Sequence, residues 1–178
     1  IDKGAIDFNT PSVKVKVDEN KNITIKHIQN NLKSNMLVKE MMVVANNIAA
    51  NFCINNDIPC IFISQPAPDT PLDDFDMKKK LNRKEIYEIL KRMKKSEMGI
   101  SPAKHTGLGV EAYTQASSPI RRYNDLLVHR QLKSYIINKD NTSYTKEEIQ
   151  IVAATAESTA RETMSIERET RRYWLLKY

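Results

Sequence analysis

The order of polar and apolar residues changes period several times along this chain, and each change marks an element. Residues 13–17, "VKVKV", alternate strictly, and residues 22–28, "NITIKHI", alternate again; "DENK" between them reads as a turn. This is the pattern of a hairpin with one solvated face. From about Ser34 the spacing becomes helical: Leu37, Met41, Val44, Ile48 and Phe52 recur at four, three, four and four residues. That spacing predicts a helix with a buried stripe, ending near Asn55 and Asn56. "IPCIFIS" then reads as a short buried strand, and "QPAPDTPLDD", with three prolines, as a loop. "MKKKLNRKEIYEILKRMKKSE" is a basic helical stretch with a break at Asn82. "GISPAKHTGLG" is a second loop, and "VEAYTQA" reads as a strand entering "SSPIRRYNDLLVHR". The last segment, from "YTKEEIQ" to the end, is one long helix, opened by a capping box of Thr145 and Glu148.

Strands and helices in mixed order imply an α+β fold. An N-terminal β-hairpin and short strands would pack with several helices, the longest of them C-terminal. At 178 residues the chain fits one domain. Hydrophobic residues make up 40%, no apolar run approaches the length of a membrane span, and the first thirty residues lack the layout of a signal peptide. The expected setting is cytoplasmic, without a membrane partner. Cys53 and Cys60 stand apart from any CxxC or CxxH pattern and read as two semi-buried free thiols. Neither a phosphate-cradling glycine loop nor HExxH nor a nucleophile elbow is present, which sets aside the nucleotide-binding and hydrolase classes those motifs mark. The net charge of +6 tilts the choice of partner towards polyanions.

The sharpest local signal is "SSPIRRYNDLLVHR", residues 117–130. Ser118 before Pro119 predicts a helix start, serine as the N-cap and proline as the first helical residue. Ile120, Tyr123 and Leu127 would form its packed face, and Arg121, Asp125 and His129 a second face beside it. Two arginines in an opening turn stand where the helix dipole disfavours cations. Either they pair with Asp125 in a surface ladder, or they and the free N–H groups converge on an anion, for which phosphate is the best fit. Two acids add to the second reading. In the C-terminal helix a seam runs through Ile149, Ala153, Ala156, Ala160, Thr163, Glu167, Thr170 and Trp174, so Glu167 falls where a core residue is expected. Glu40 lies on the flank of the Leu37–Val44–Ile48 stripe. An arginine-rich helix start and two inward glutamates would make a buried polar site.

"GLGVEAYTQASSPIRRYNDLLVHRQL", residues 107–132, resembles the signature of the RNB catalytic domain of the ribonuclease II and ribonuclease R exoribonucleases. "KGAIDFNTPSVKVKVDENKNI", "MLVKEMMVVANNIAANF" with "IPCIF", and "IERETRRYWLLKY" follow in the family's order, so residues 1–178 resemble the C-terminal portion of that domain. The resemblance implies a hydrolytic 3′-to-5′ exoribonuclease that uses Mg2+, acts on single-stranded RNA and releases nucleoside 5′-monophosphates. It makes Arg121 the catalytic arginine at the scissile phosphate. Ser118, Arg122, Tyr123, His129 and Arg130 would shape or contact the RNA channel, Glu40 would recognise a terminal ribose, and Glu167 would lie near the active centre.

The family's cluster of metal-binding aspartates precedes the "KGAIDF" segment and does not occur here. "PLDDFD", with Asp73, Asp74 and Asp76, follows the proline loop and reads as a solvated turn, so no metal ligand is assigned on this chain. The aromatic base clamps and flanking RNA-binding barrels of the family are missing as well, and Thr106 stands where the family has an aromatic residue. Three explanations are open: a piece of a longer enzyme, one half of a split enzyme that pairs with the missing N-terminal part, or a degenerate relative. Intact Arg121, Glu40 and Glu167 favour the first, and the 178 residues alone are expected to be inactive. The alternative is an RNA-binding module derived from the RNB fold without catalysis.

Overall fold

The computed structural model describes residues 5–6, 12–28, 32–76, 79, 81–138 and 142–178. Most of "KGAIDFNTP", together with Met77, Lys78 and Lys80 of the basic stretch, lies outside them. The predicted hairpin is present. β1 (Ser12–Val17) pairs antiparallel with β2 (Ile23–Ile28), Val13 opposite His27 and Val17 opposite Ile23. Val13, Val15, Val17, Ile23 and Ile25 are half-buried while the intervening Lys14, Lys16, Thr24 and Lys26 are exposed, as a period of two requires. The turn is closed by Asp18, whose carbonyl accepts from the Lys21 N–H at 3.0 Å and whose carboxylate accepts from the Asn22 N–H at 2.7 Å.

The core is built on both sides of one short strand. β3 (Phe62–Ser64) pairs antiparallel with β4 (Glu97–Gly99), and the residues leading into β3 alternate sides. Cys60 and Phe62 pack with Ala50 and Cys53 of α1 (Lys33–Asn55), with Ala112, and with Val128 of α3 (Tyr123–Asn138). Ile61 points the other way, onto Leu127 of α3 and onto Ile149 and Ala153 of α4 (Lys146–Lys177). Adjacent residues of α3 thus serve both clusters. Gln131, fully buried one turn on, donates to the Pro59 carbonyl at 3.0 Å and the Tyr144 carbonyl at 2.9 Å and accepts from the Tyr144 N–H at 2.8 Å. Its amide ties the α3–α4 connection to β3 with both ends satisfied.

The helix ends show where local chemistry decides. Thr145 and Glu148 form the expected capping box of α4. Asn82 begins a helix; Met77, Lys78 and Lys80 before it lie outside the described residues. Its side chain accepts from the Glu85 N–H at 2.9 Å, and Glu85 returns the bond at 2.7 Å, which opens α2 (Arg83–Arg92).

Four expectations are corrected. "VEAYTQA" is not a strand beyond a single bridge of Val110 to His105, because side-chain amides of α1 take up hydrogen bonds that a neighbouring strand would otherwise take: Asn47 donates to the Ala112 carbonyl at 2.7 Å. The α1 stripe is open, with Leu37 62% and Ile48 61% exposed. The face that packs instead carries Asn46, Ala50 and Cys53. Small and amide side chains let residues 112–116 approach and bond, which the larger apolar face cannot offer. The α4 seam is buried at Ile149 and Ala153, half-buried at Ala156 and exposed at Ala160, Thr163 and Glu167. Finally, α1 is long and apolar enough, by length and composition, to cross a membrane. Its apolar residues are interrupted by Lys39 and Glu40, so they form no unbroken run. Its Asn46, Ala50 and Cys53 nonetheless lie in the folded core.

Candidate functional site

Residues 112–122 form a loop held from three sides. Asn46 on α1 donates to the Tyr113 hydroxyl at 2.9 Å and accepts from the Ala116 N–H at 3.0 Å. His129 Nε2 on α3 lies 2.6 Å from the Ala116 carbonyl oxygen. From the β3 side, the Ile63 N–H donates to the Tyr113 carbonyl at 2.9 Å, and the buried Thr114 hydroxyl donates to the Ile61 carbonyl at 2.5 Å. The His105 ring stands edge-on to Tyr113 at 5.6 Å, and burial holds its imidazole below the ordinary pKa. A loop so bonded is preset, not adaptable.

The two arginines sit just past this clamp, and the helix begins later than the sequence predicts. Ser118 does not cap through its hydroxyl. Its carbonyl accepts from the N–H groups of Arg121 at 3.2 Å and Arg122 at 3.0 Å, and α3 starts at Tyr123. Ile120, expected in the packed face, is 101% exposed, and Tyr123 is exposed as well. The reason is Asp125. In the first turn of the helix and fully buried, it reaches back to accept from the Ser118 N–H at 2.8 Å, so the preceding residues fold into a separate turn. Because the Arg121 and Arg122 N–H groups are spent on Ser118, they are not free to cradle an anion.

Asp125 also separates the arginines. Its Oδ2 accepts from Arg122 Nη2 at 2.7 Å, and Arg122 donates to Ser117 Oγ at 3.2 Å. The ladder runs from Arg122 and not from Arg121, and His129 is turned to Ala116. Arg121 is exposed and has no ion pair or hydrogen bond from its guanidinium among the described residues. One arginine is internal structure; the other is offered outward.

The remaining predicted residues are not gathered here. Arg130 donates to the Tyr144 hydroxyl at 3.0 Å. Glu40 is exposed on α1, and Glu167 is exposed and paired with Arg171 at 3.2 Å. Among the described residues the expected buried site joining Arg121 to two inward glutamates is therefore not formed: seven-residue spacing placed Glu167 on a seam that is exposed from Ala160 to Thr170. The sequence reading also missed Asn46, whose only signal is an amide on the small-residue side of an amphipathic helix.

Two acids of "PLDDFD" are committed to cations. Arg92 grips both carboxylate oxygens of Asp74 at 2.9 Å, which holds that carboxyl below its ordinary pKa, and Asp76 pairs with Lys79 at 3.3 Å. Among the described residues no three His, Cys, Asp or Glu side chains come together as a metal site, so the residues present do not fit the magnesium ions the resemblance implies.

The sequence profile of the RNB domain matches residues 1–138. A ribonuclease of Synechocystis, itself uncharacterized, is 34% identical over 99% of this chain, which spans 26% of that protein. The chloroplastic and mitochondrial ribonuclease II of Arabidopsis thaliana is 28% identical over 99% of the chain, which spans 22% of it. The fold matches ribonuclease R of Mycoplasma genitalium, solved with ribose-methylated single-stranded RNA, with a TM-score of 0.82 at 23% identity; 98% of this chain covers 33% of that one. The yeast pseudonuclease Ssd1 shares the fold over 69% of the chain with a TM-score of 0.58. The chain thus spans about a quarter of the curated relatives it matches, and it belongs to the RNB domain family.

Proposed function

We propose that this chain is part of a 3′-to-5′ exoribonuclease that hydrolyses single-stranded RNA to nucleoside 5′-monophosphates. In that reaction a water oxygen bonds to phosphorus, the P–O3′ bond breaks, and the departing 3′-oxygen takes a proton. The observation that carries the reading is the outward guanidinium of Arg121, on a turn held by a buried carboxylate. A planar fork presented in fixed geometry stabilises charge that builds on phosphate oxygens, and a preset donor does so without reorganisation. Tyr123 and Arg130 lie exposed on the same helix and extend this surface along an RNA chain. Glu40 and Glu167 join the site once further RNB sequence covers the open faces of α1 and α4. Two features support such a composite: the chain spans a third of the ribonuclease R chain it superposes on, and the α1 stripe is uncovered. The Mg2+ that such enzymes use would take its ligands from that further sequence.

The test uses end-labelled single-stranded RNA with magnesium. The 178 residues alone are expected to retain RNA at low salt, lose it steeply as salt rises, and release no mononucleotide. A polypeptide carrying the remaining RNB sequence is expected to release mononucleotides, and Arg121→Lys to lower that turnover far more than RNA affinity. Mononucleotide release by the 178 residues alone would overturn the composite reading, and no RNA binding at low salt would overturn both. A second reading, an RNA-binding module without catalysis, is favoured by the absence of a metal cluster among the described residues and by the likeness to a pseudonuclease. It predicts RNA retention with no turnover in either polypeptide.

A further inference from the structure

We infer that Asp125 is a positioning residue: buried beneath residues 118–122, it staples both ends of that turn so that Arg121, and not Arg122, is the arginine presented outward. The inference rests on the reading of Arg121 above and deepens it. Asp125 Oδ2 has two donors, the Ser118 N–H at 2.8 Å and Arg122 Nη2 at 2.7 Å. They flank Pro119, Ile120 and Arg121, so one oxygen closes the turn from both sides.

What Asp125 leaves unmade is informative. Its Oδ1 and Arg122 Nε are both buried and have no partner among the described residues. These are the atoms a two-toothed arginine–carboxylate fork would join, and such forks are the stronger geometry. A pair serving only to neutralise charge would close the fork. Sharing Oδ2 with a backbone amide keeps the carboxylate turned towards the chain, at the expense of the second tooth. Upstream, Asn46 and His129 already hold Ala116 on its N–H and carbonyl sides. Between that clamp and α3, Asp125 supplies the side-chain grip on the turn that carries Arg121.

The experiment takes the 178-residue chain through hydrogen exchange and RNA affinity in parallel. Asp125→Ala is expected to speed exchange at the Ser118 amide and leave the β3 and α3 core amides unchanged. It is expected to weaken binding of a single-stranded oligonucleotide about fivefold with Arg121 present, and to have no further effect in an Arg121→Gln background. Asp125→Asn keeps an acceptor for the Ser118 amide and is expected to recover most of both losses. Unchanged Ser118 exchange in Asp125→Ala, equal loss of affinity in both backgrounds, or an Asp125→Asn variant as impaired as the alanine would each overturn the proposal. An Arg121→Gln chain that binds RNA as tightly as the parent would overturn the presentation of Arg121 to phosphate, while Ser118 exchange would still decide the staple. If Asp125→Ala does not fold, Arg122→Gln replaces it. That variant keeps the backbone staple, so Ser118 should stay protected; loss of that protection would overturn the proposal.

Discussion

Around β3 the apolar surface of this chain is closed, and along α1 it is open. Leu127, Val128 and Ile149 are essentially inaccessible, and the polar groups among them, Gln131, Thr114 and Asn46, have partners. Leu37, Met41, Val44 and Ile48 form an equally regular helical stripe with no element laid over it among the described residues. Both regions are rich in apolar residues. They differ in whether hydrogen-bonding groups lie beside the apolar ones to dock the neighbouring chain, and on α1 those groups, Asn46 and Asn47, are on the other face.

The contrast can be broken most directly at Leu127. Leu127→Ala should destabilise the chain by about 2–5 kcal/mol in urea unfolding, since the site is enclosed and the cavity cannot collapse freely. A cost below about 1 kcal/mol would mean that the β3 region is looser than its burial implies. Next in size is Gln131→Leu, which strips partners from the Pro59 and Tyr144 backbone groups. It should cost about 2 kcal/mol, the penalty of buried polar groups left unmatched, and a neutral result would show that water already reaches them.

His105 gives a smaller, pH-dependent effect. Burial lowers its folded pKa, so below the ordinary value of about 6.5 the unfolded chain binds more protons than the folded one. Its stabilisation is fully present above that value and fades as pH falls through the folded pKa. His105→Phe, which keeps a ring against Tyr113, should flatten stability between about pH 7 and pH 5 relative to the parent. An unchanged slope would sink the assignment. Smallest of all, Leu37→Gln should change stability by no more than about 0.5 kcal/mol and should lower the fluorescence of a bound hydrophobic dye. A loss as large as that at Leu127 would show that the stripe is covered in solution by a second copy.

The same contrast explains what could be read in advance. The hairpin and the Thr145–Glu148 box were legible because each is decided within a few residues by alternation or by a capping pair. "IPCIFIS" was legible as a short buried strand, though its packing into two clusters was not. The start of α3 was not legible, because the Arg121 N–H that a Ser118 hydroxyl would cap bonds to the Ser118 carbonyl instead, while Asp125, seven residues on, takes the Ser118 N–H. Nor was the packed face of α1, where periodicity finds an apolar side and is silent about hydrogen bonds. For the site, Arg121 stood out by its address, but its separation from Arg122 depends on the burial of Asp125, which spacing does not reveal. Glu40 and Glu167 were placed inward by periodicity alone, and periodicity assumes a neighbour.

The grip of His129 on Ala116 decides where that ring can act. A carbonyl oxygen offers no hydrogen, so at 2.6 Å the ring nitrogen Nε2 must carry one. The neutral imidazole is therefore the Nε2-protonated tautomer, and its only basic lone pair is on Nδ1. Any proton that His129 accepts must approach from that side of the ring, away from the loop that leads to Arg121.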